Sequence, residues 1–161
     1  VTPLALATAL SAALNDGMYV TPTLQKRAVG AALPSRRAVK ADVSKSLQDM
    51  MRYVVTDGTG RNAAVEGYEM MGKTGTAENP HGQDHSIFIA FAPKDNPKIA
   101  LSVYVENGYW GSRWAGPIAS LMIEKYLTGG TIRPQEEQKM FNGSLEDQYA
   151  NQLLNTTEIE E

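Results

Sequence analysis

Lys73-Thr74-Gly75-Thr76-Ala77 sets a cation, two hydroxyls and a glycine within five consecutive residues, a combination suited to holding an anion. Two chemistries use such a combination. Read backwards from Thr74 to Gly67, the octapeptide GYEMMGKT satisfies G-x-x-x-x-G-K-[ST], the loop whose backbone N–H groups cradle nucleotide phosphates. Read forwards, Lys-Thr-Gly-Thr fits a wall that receives a carboxylate and a developing oxyanion. The flanking residues separate the two, because each chemistry needs a different element beneath it.

A phosphate loop requires a buried strand before it and a helix starting at the Lys-Thr pair, since the phosphates sit on that helix's first amides. The residues from Gly60 to Glu69 are mostly polar or small, and Gly75, Asn79, Pro80 and Gly82 follow too closely for a helix to extend. The nucleotide reading is therefore set aside. An extended strand from Tyr68 to Thr76 suits the flanks better, with Gly72 and Gly75 leaving room for another backbone or a ligand.

The elements that must hold this strand follow. Ser86 to Ala92 is an apolar run ending at Pro93, with a turn at Asp95-Asn96-Pro97. Lys98 to Glu106 is rich in β-branched and aliphatic residues and stops at Asn107-Gly108. Three strands with short connections predict an antiparallel meander. Helices are predicted around it. Thr2-Pro3 opens one, with Leu4, Ala7, Leu10, Ala13 and Leu14 near one stripe and a stop at Asn15-Asp16-Gly17. Another runs from Ala41 or Asp42 to about Thr56, with Val43, Leu47, Met50, Met51 and Val54 at helical spacing. A third covers about Ala115 to Leu127, where Ile118, Leu121, Met122 and Tyr126 share a face and Lys125 falls inside the stripe, so that it must pair or snorkel outward.

The 161 residues allow about one domain with a sizeable core. A net charge of -3 gives no support for nucleic-acid binding, and no apolar run approaches the about 18 residues that span a bilayer. The absence of Cys suits an oxidising compartment. From Thr131 onward Glu136, Glu137, Glu146, Asp147, Glu158, Glu160 and Glu161 accumulate, which reads as a surface helix or acidic tail, disordered by its end. The expected division is 1–130 for the domain and 131–161 for this tail.

Several segments in order now carry a resemblance: VTPLALATALSAALNDG with Thr21-Pro22, VVTDGTGRNA, GKTGTAE, DHSIFIAFAPKDNP, VYVENGYWGS and a closing helix near Ala115-Gly116-Pro117. Over roughly residues 1 to 128 the chain resembles the C-terminal part of the transpeptidase domain of class B penicillin-binding proteins, and is most similar to the penicillin-binding protein 2 group. The fold this implies is α+β, an α/β sandwich with an antiparallel sheet flanked by helices, like that of the β-lactamases, and incomplete in this chain. The activity it implies is a peptidoglycan D,D-transpeptidase, in which a serine attacks the penultimate D-alanine carbonyl of a stem peptide, D-alanine leaves and a neighbouring amine takes the acyl group.

The family uses S-x-x-K, S-x-N and KTG, and only the third is present, so the chain is expected to be an inactive fragment whose nucleophile lies upstream. By resemblance, Lys73 supplies positive charge, the Thr74 and Thr76 hydroxyls bind the carboxylate of substrate or β-lactam, the Thr76 backbone N–H is one oxyanion donor, and Gly75 keeps the edge open. No cofactor and no metal are implied. The implied partners are stem peptides, β-lactams, the upstream half of the same protein and proteins of the cell-elongation machinery, at the periplasmic face of the inner membrane. A β-lactam sensor, a β-lactamase-like protein and a non-catalytic module of the same fold are the alternatives. A fragment is also expected to expose a strand edge and an apolar face.

Other residues carry two readings. Lys73 alone would be an ordinary exposed lysine. Gly58-Thr59-Gly60 reads first as a helix-terminating loop and second as an indirect contributor to the shape of the site. His81 and His85, with Asp84 between, have the i, i+4 spacing of a helical metal pair, but Pro80 and Gly82 argue against the helix. Tyr109, Trp110 and Trp114 are either a hydrophobic cover near the groove or simple packing.

Overall fold

The computed structural model describes residues 1–28 and 30–150; the acidic positions Glu158, Glu160 and Glu161 and the expectation attached to them lie outside the described residues. Helix α1 spans Pro3–Leu14, and the Thr2 hydroxyl accepts the Ala5 N–H at 3.2 Å to cap it. Leu10, Ala12 and Leu14 are buried, whereas Leu4 is mostly exposed. Only glycine fits at position 17, where φ is +76° and a Cβ would lie 2.0 Å from the Val39 carbonyl oxygen. A ribbon that sequence patterning did not reveal follows, β1 (Met18–Val20) paired antiparallel with β2 (Ser35–Arg37). Three-residue strands are too short for a period-2 signal to show.

Helix α2 spans Ala41–Thr56 and docks on α1 through polar side chains. Ser44 donates to the Ala13 carbonyl, and Gln48 to the Leu14 carbonyl at 3.1 Å, satisfying carbonyls that the end of α1 leaves open. The apolar stripe from Val43 to Val54 marks the buried face in part: Met51 packs against the Leu10, Leu14, Met71 and Phe91 cluster, and Leu47 and Val54 are half-buried. Ser44 and Val55 are buried, while Met50 is 64% exposed and Val43 is also exposed.

Strands β3 (Met71–Ala77), β4 (His85–Ala92) and β5 (Ile99–Val105) form the expected antiparallel meander in the order β3-β4-β5. Among the described residues the outer edges of β3 and β5 have no strand partner. Period-2 alternation divides the sheet's side chains into two cores. Phe88, Ala90, Ala92, Leu101 and Val103 pack with Ala115, Ala119 and Ile123 of helix α3 (Ala115–Thr128) on one face. Phe91, Met71 and Ile89 pack with Leu10 and Leu14 of α1 on the other. The architecture is α+β with helices on both faces of an antiparallel sheet.

The face of α3 turned inward agrees with the expected stripe only in part: Ile118 packs against the core and Leu121 is half-buried. Ala115, Ala119, Ser120, Ile123 and Glu124 are buried, whereas Met122 and Tyr126 are mostly exposed and Lys125 stands in solvent. Small residues let α3 lie close on the sheet, and a buried carboxylate takes a place that an apolar pattern assigns to solvent. Gly129, at φ +81°, ends the helix as expected. Helix α4 (Pro134–Asn142) and a helical stretch over 145–150 follow. They return to the domain where Trp114 Nε1 donates to Gln148 Oε1 at 2.7 Å and the Tyr149 hydroxyl donates to the Asn107 carbonyl.

Candidate functional site

The motif lies on β3 with the register Lys73↔Ile89, Thr74↔Phe88, Gly75↔Ile87 and Thr76↔Ser86. It is strand throughout, so no helix begins at Lys73-Thr74 to receive phosphates, and the nucleotide reading fails on geometry. Alternation turns Thr74 and Thr76 to the α3 face and Lys73 and Gly75 to the opposite one. Gly72 is required by packing, because a Cβ there would fall 2.6 Å from the Phe88 ring. Gly75 is less constrained. A Cβ would lie 3.3 Å from Ile87 Cβ, so the neighbour would need to yield only slightly.

Two segments close around this strand. The first is the end of α2, where Gly58 N–H bonds to the Tyr53 carbonyl at 3.1 Å and Gly60 N–H to the Val54 carbonyl at 2.9 Å. A Cβ at Gly58 would stand 2.8 Å from Val54 Cα, so the loop folds tightly against its own helix. Thr59, held between these glycines, meets Thr74: the two Oγ1 atoms are 2.7 Å apart. Gly58-Thr59-Gly60 is thus both a helix terminator and a direct neighbour of the motif. Lys73 Nζ donates to the Thr74 carbonyl at 2.7 Å and approaches Thr74 Oγ1 at 3.4 Å. Arg52 of α2 donates to the Met70 carbonyl at 2.9 Å, fixing the chain where it enters β3.

The second segment is the loop after β5. Gly111 presses on the backbone of β3 and β4, since a Cβ there would lie 2.2 Å from the Ile87 oxygen and 2.8 Å from the Gly75 oxygen. Ser86, fully buried, donates to the Trp110 carbonyl at 2.9 Å and accepts the Ala115 N–H at 3.2 Å, so a strand residue satisfies the first amide of α3. The aromatic residues divide. Trp114 packs and bonds toward Gln148, while Trp110 is exposed with its ring 5.2 Å from that of Tyr109. His85 Nδ1 accepts the Asn107 N–H at 3.0 Å and its ring lies 5.1 Å from that of Tyr104, which gives it a role in holding the β5 turn.

This architecture agrees with a comparison of sequences, in which the model of the penicillin binding protein transpeptidase domain matches residues 1–124. The chain belongs to the penicillin-binding protein transpeptidase family. Within this family it is 32% identical over 158 residues to Stage V sporulation protein D of Bacillus subtilis, covering 86% of this chain and 24% of that protein. It is 34% identical over 153 residues to the peptidoglycan D,D-transpeptidase MrdA of Haemophilus influenzae, covering 78% of this chain and 24% of that protein. The chain thus spans about a quarter of the length of these curated relatives. Among solved structures, penicillin-binding protein A from M. tuberculosis, as a ceftriaxone acyl-enzyme complex, superposes with a TM-score of 0.70 at 30% identity, over 80% of this chain and 33% of that one.

Proposed function

We propose that this chain forms the Lys-Thr-Gly wall of a peptidoglycan D,D-transpeptidase site that also reacts with β-lactams. The observation that carries the reading is the position of the motif on a strand that, among the described residues, is paired on one side only. In an antiparallel ladder alternate residues turn their N–H and C=O groups to opposite edges. The Thr74 carbonyl is the one that meets Lys73 Nζ, and Thr76, two residues on, shares its parity. The Thr76 N–H accordingly serves as an oxyanion donor, the Thr74 and Thr76 hydroxyls receive the ligand carboxylate, Lys73 supplies the compensating charge and Gly75 leaves the edge open.

The reaction is acyl transfer: serine Oγ bonds to the penultimate D-alanine carbonyl carbon, the amide bond to the terminal D-alanine breaks, and a stem-peptide amine then displaces the serine. No serine of residues 1–161 stands in S-x-x-K or S-x-N, so the reading takes the nucleophile and its lysine from protein outside these residues. It carries the site to the outer side of the cytoplasmic membrane, where peptidoglycan is built, and includes other proteins of the wall-elongation machinery as partners. Among the described residues no helix is long and apolar enough to cross a membrane.

Intact-mass analysis after incubation with a fluorescent penicillin tests this, on the chain alone and on the full-length gene product. Stable labelling of the full-length product only, lost in Lys73→Ala, is the expected result. Label that is rapidly released would favour a β-lactamase-like protein, and no label on either sample would favour a non-catalytic module. Labelling of the chain alone would place the nucleophile within residues 1–161.

A further inference from the structure

We infer that Thr59 is a positioning residue that sets the direction of the Thr74 hydroxyl proton, and this rests on the reading of Thr74 as a carboxylate-binding group. A threonine hydroxyl has one proton to donate and two lone pairs to accept. The Thr59 and Thr74 oxygens are 2.7 Å apart, and either can be the donor by distance alone. Lys73 can occupy one of the Thr74 lone pairs, which leaves the second lone pair and the proton to be divided between Thr59 and the ligand. The Lys73 ammonium only donates, and Nζ lies 3.4 Å from Thr74 Oγ1. When Thr59 donates as well, both lone pairs of Thr74 face donors and its single proton is left pointing at the open edge of β3. That is the arrangement a carboxylate requires, because it offers lone pairs and no proton. In the opposite arrangement Thr74 spends its proton on Thr59 and presents lone pairs to an anion.

The structure equips Thr59 for this task. Gly58 and Gly60 fold back on Val54, and Gly60 also lies against Phe88, the cross-strand partner of Thr74. Thr59, itself exposed, is thus carried between two glycines that pack against the core, and this loop places its hydroxyl 2.7 Å from that of Thr74.

The test uses the full-length gene product and compares acylation rates by benzylpenicillin and by its methyl ester, which lacks the carboxylate charge. Thr59→Val, which keeps the shape and removes the hydroxyl, is expected to slow benzylpenicillin on the order of tenfold, the size of one hydrogen bond to a charged group, and to leave the ester nearly unchanged. Thr59→Ser restores the rate. Thr74→Val slows benzylpenicillin too, and adding Thr59→Val to it costs little more, because the two act as a unit. An equal loss on both compounds, or a loss that serine does not restore, would make Thr59 merely structural and overturn the inference. If Thr74→Val leaves benzylpenicillin unaffected, the carboxylate reading of Thr74 falls first and the inference falls with it.

Discussion

Arg133 Nε lies 2.5 Å from Glu124 Oε2, joining a side chain of the segment after α3 to a carboxylate that is fully buried. The other carboxylate oxygen accepts the Thr131 hydroxyl at 3.0 Å and the backbone N–H groups of Ile132 and Arg133. Arg133 Nη2 also reaches Ser120 Oγ at 3.0 Å. A buried charge costs free energy unless it is paired and bonded, and here one carboxylate is satisfied from four directions.

Glu124→Gln should therefore destabilise the protein by about 3 kcal/mol, since breaking a buried pair leaves an uncompensated guanidinium. Urea unfolding of the two proteins at neutral pH measures the difference. Burial pushes the Glu124 carboxyl upward, but the Arg133 guanidinium and the Ile132 N–H outweigh it and hold the group below its ordinary value. Its contribution is then complete above the usual Glu value of about 4.3 and is lost as pH falls through the lower native value. The acid limb of the stability curve should flatten in Glu124→Gln; an unchanged limb would show that this carboxylate does not govern it.

Tyr68 offers the opposite sign at the other end of the pH scale. Burial, and then the charge of Glu124, push its phenol up to about 12. The folded state thus retains the proton where the unfolded chain loses it. The contribution is present below about 10 and declines as pH rises toward the native value. Titration followed by phenolate absorbance should show late-titrating tyrosine, with Tyr149 also raised by its burial, and the part belonging to Tyr68 should move earlier in Glu124→Gln.

Gly111→Ala should cost about 1–3 kcal/mol, the range for forcing an atom into a packed region, because its Cβ would collide with the Ile87 and Gly75 backbone. Penicillin acylation of the full-length product should fall with it, since the obstruction is at the motif. Gly130→Ala is the control, with nothing within 4 Å of the added atom. Equal thermal midpoints for the two variants would contradict the close contact.

Thr76→Pro removes both the hydroxyl and the N–H of an edge-strand residue, where proline is tolerated when that N–H points away from the ladder. Thr76→Val removes the hydroxyl alone, so if the Thr76 amide is an oxyanion donor, acylation should drop by about 10²-fold more in Thr76→Pro than in Thr76→Val while the thermal midpoint holds. A collapse of the fold would instead place this N–H inside the β3–β4 ladder.

The meander and the three long helices were readable because each has a local cause: the Thr2 cap, the Gly129 stop, the apolar run of β4 and the turns at Asn96 and Asn107. Their orientations were readable only in part. The buried side of α2 depends on Ser44 and Gln48 finding carbonyls of α1, and that of α3 on Glu124 finding Arg133. No helical stripe encodes a hydrogen bond to another element. At the site, Lys73 to Thr76 stood out as a motif, whereas Thr59, Ser86 and Gly111 joined it only through contacts between residues distant in sequence. Thr59 carried one signal, the glycines on both sides, which marked a tight loop and left open what the loop would touch.

Helix α2 is held at both ends for different purposes. Ser44 and Gln48 grip the carbonyls that finish α1, and the Gly58-Thr59-Gly60 loop at the far end touches Thr74. The seat of the helix on α1 is thus remote from the loop that meets the motif. If the proposed β-lactam site is right, a change at the buried Ser44 or at Gln48 that reseats the helix would shift Thr59 and alter that site through residues the ligand does not touch.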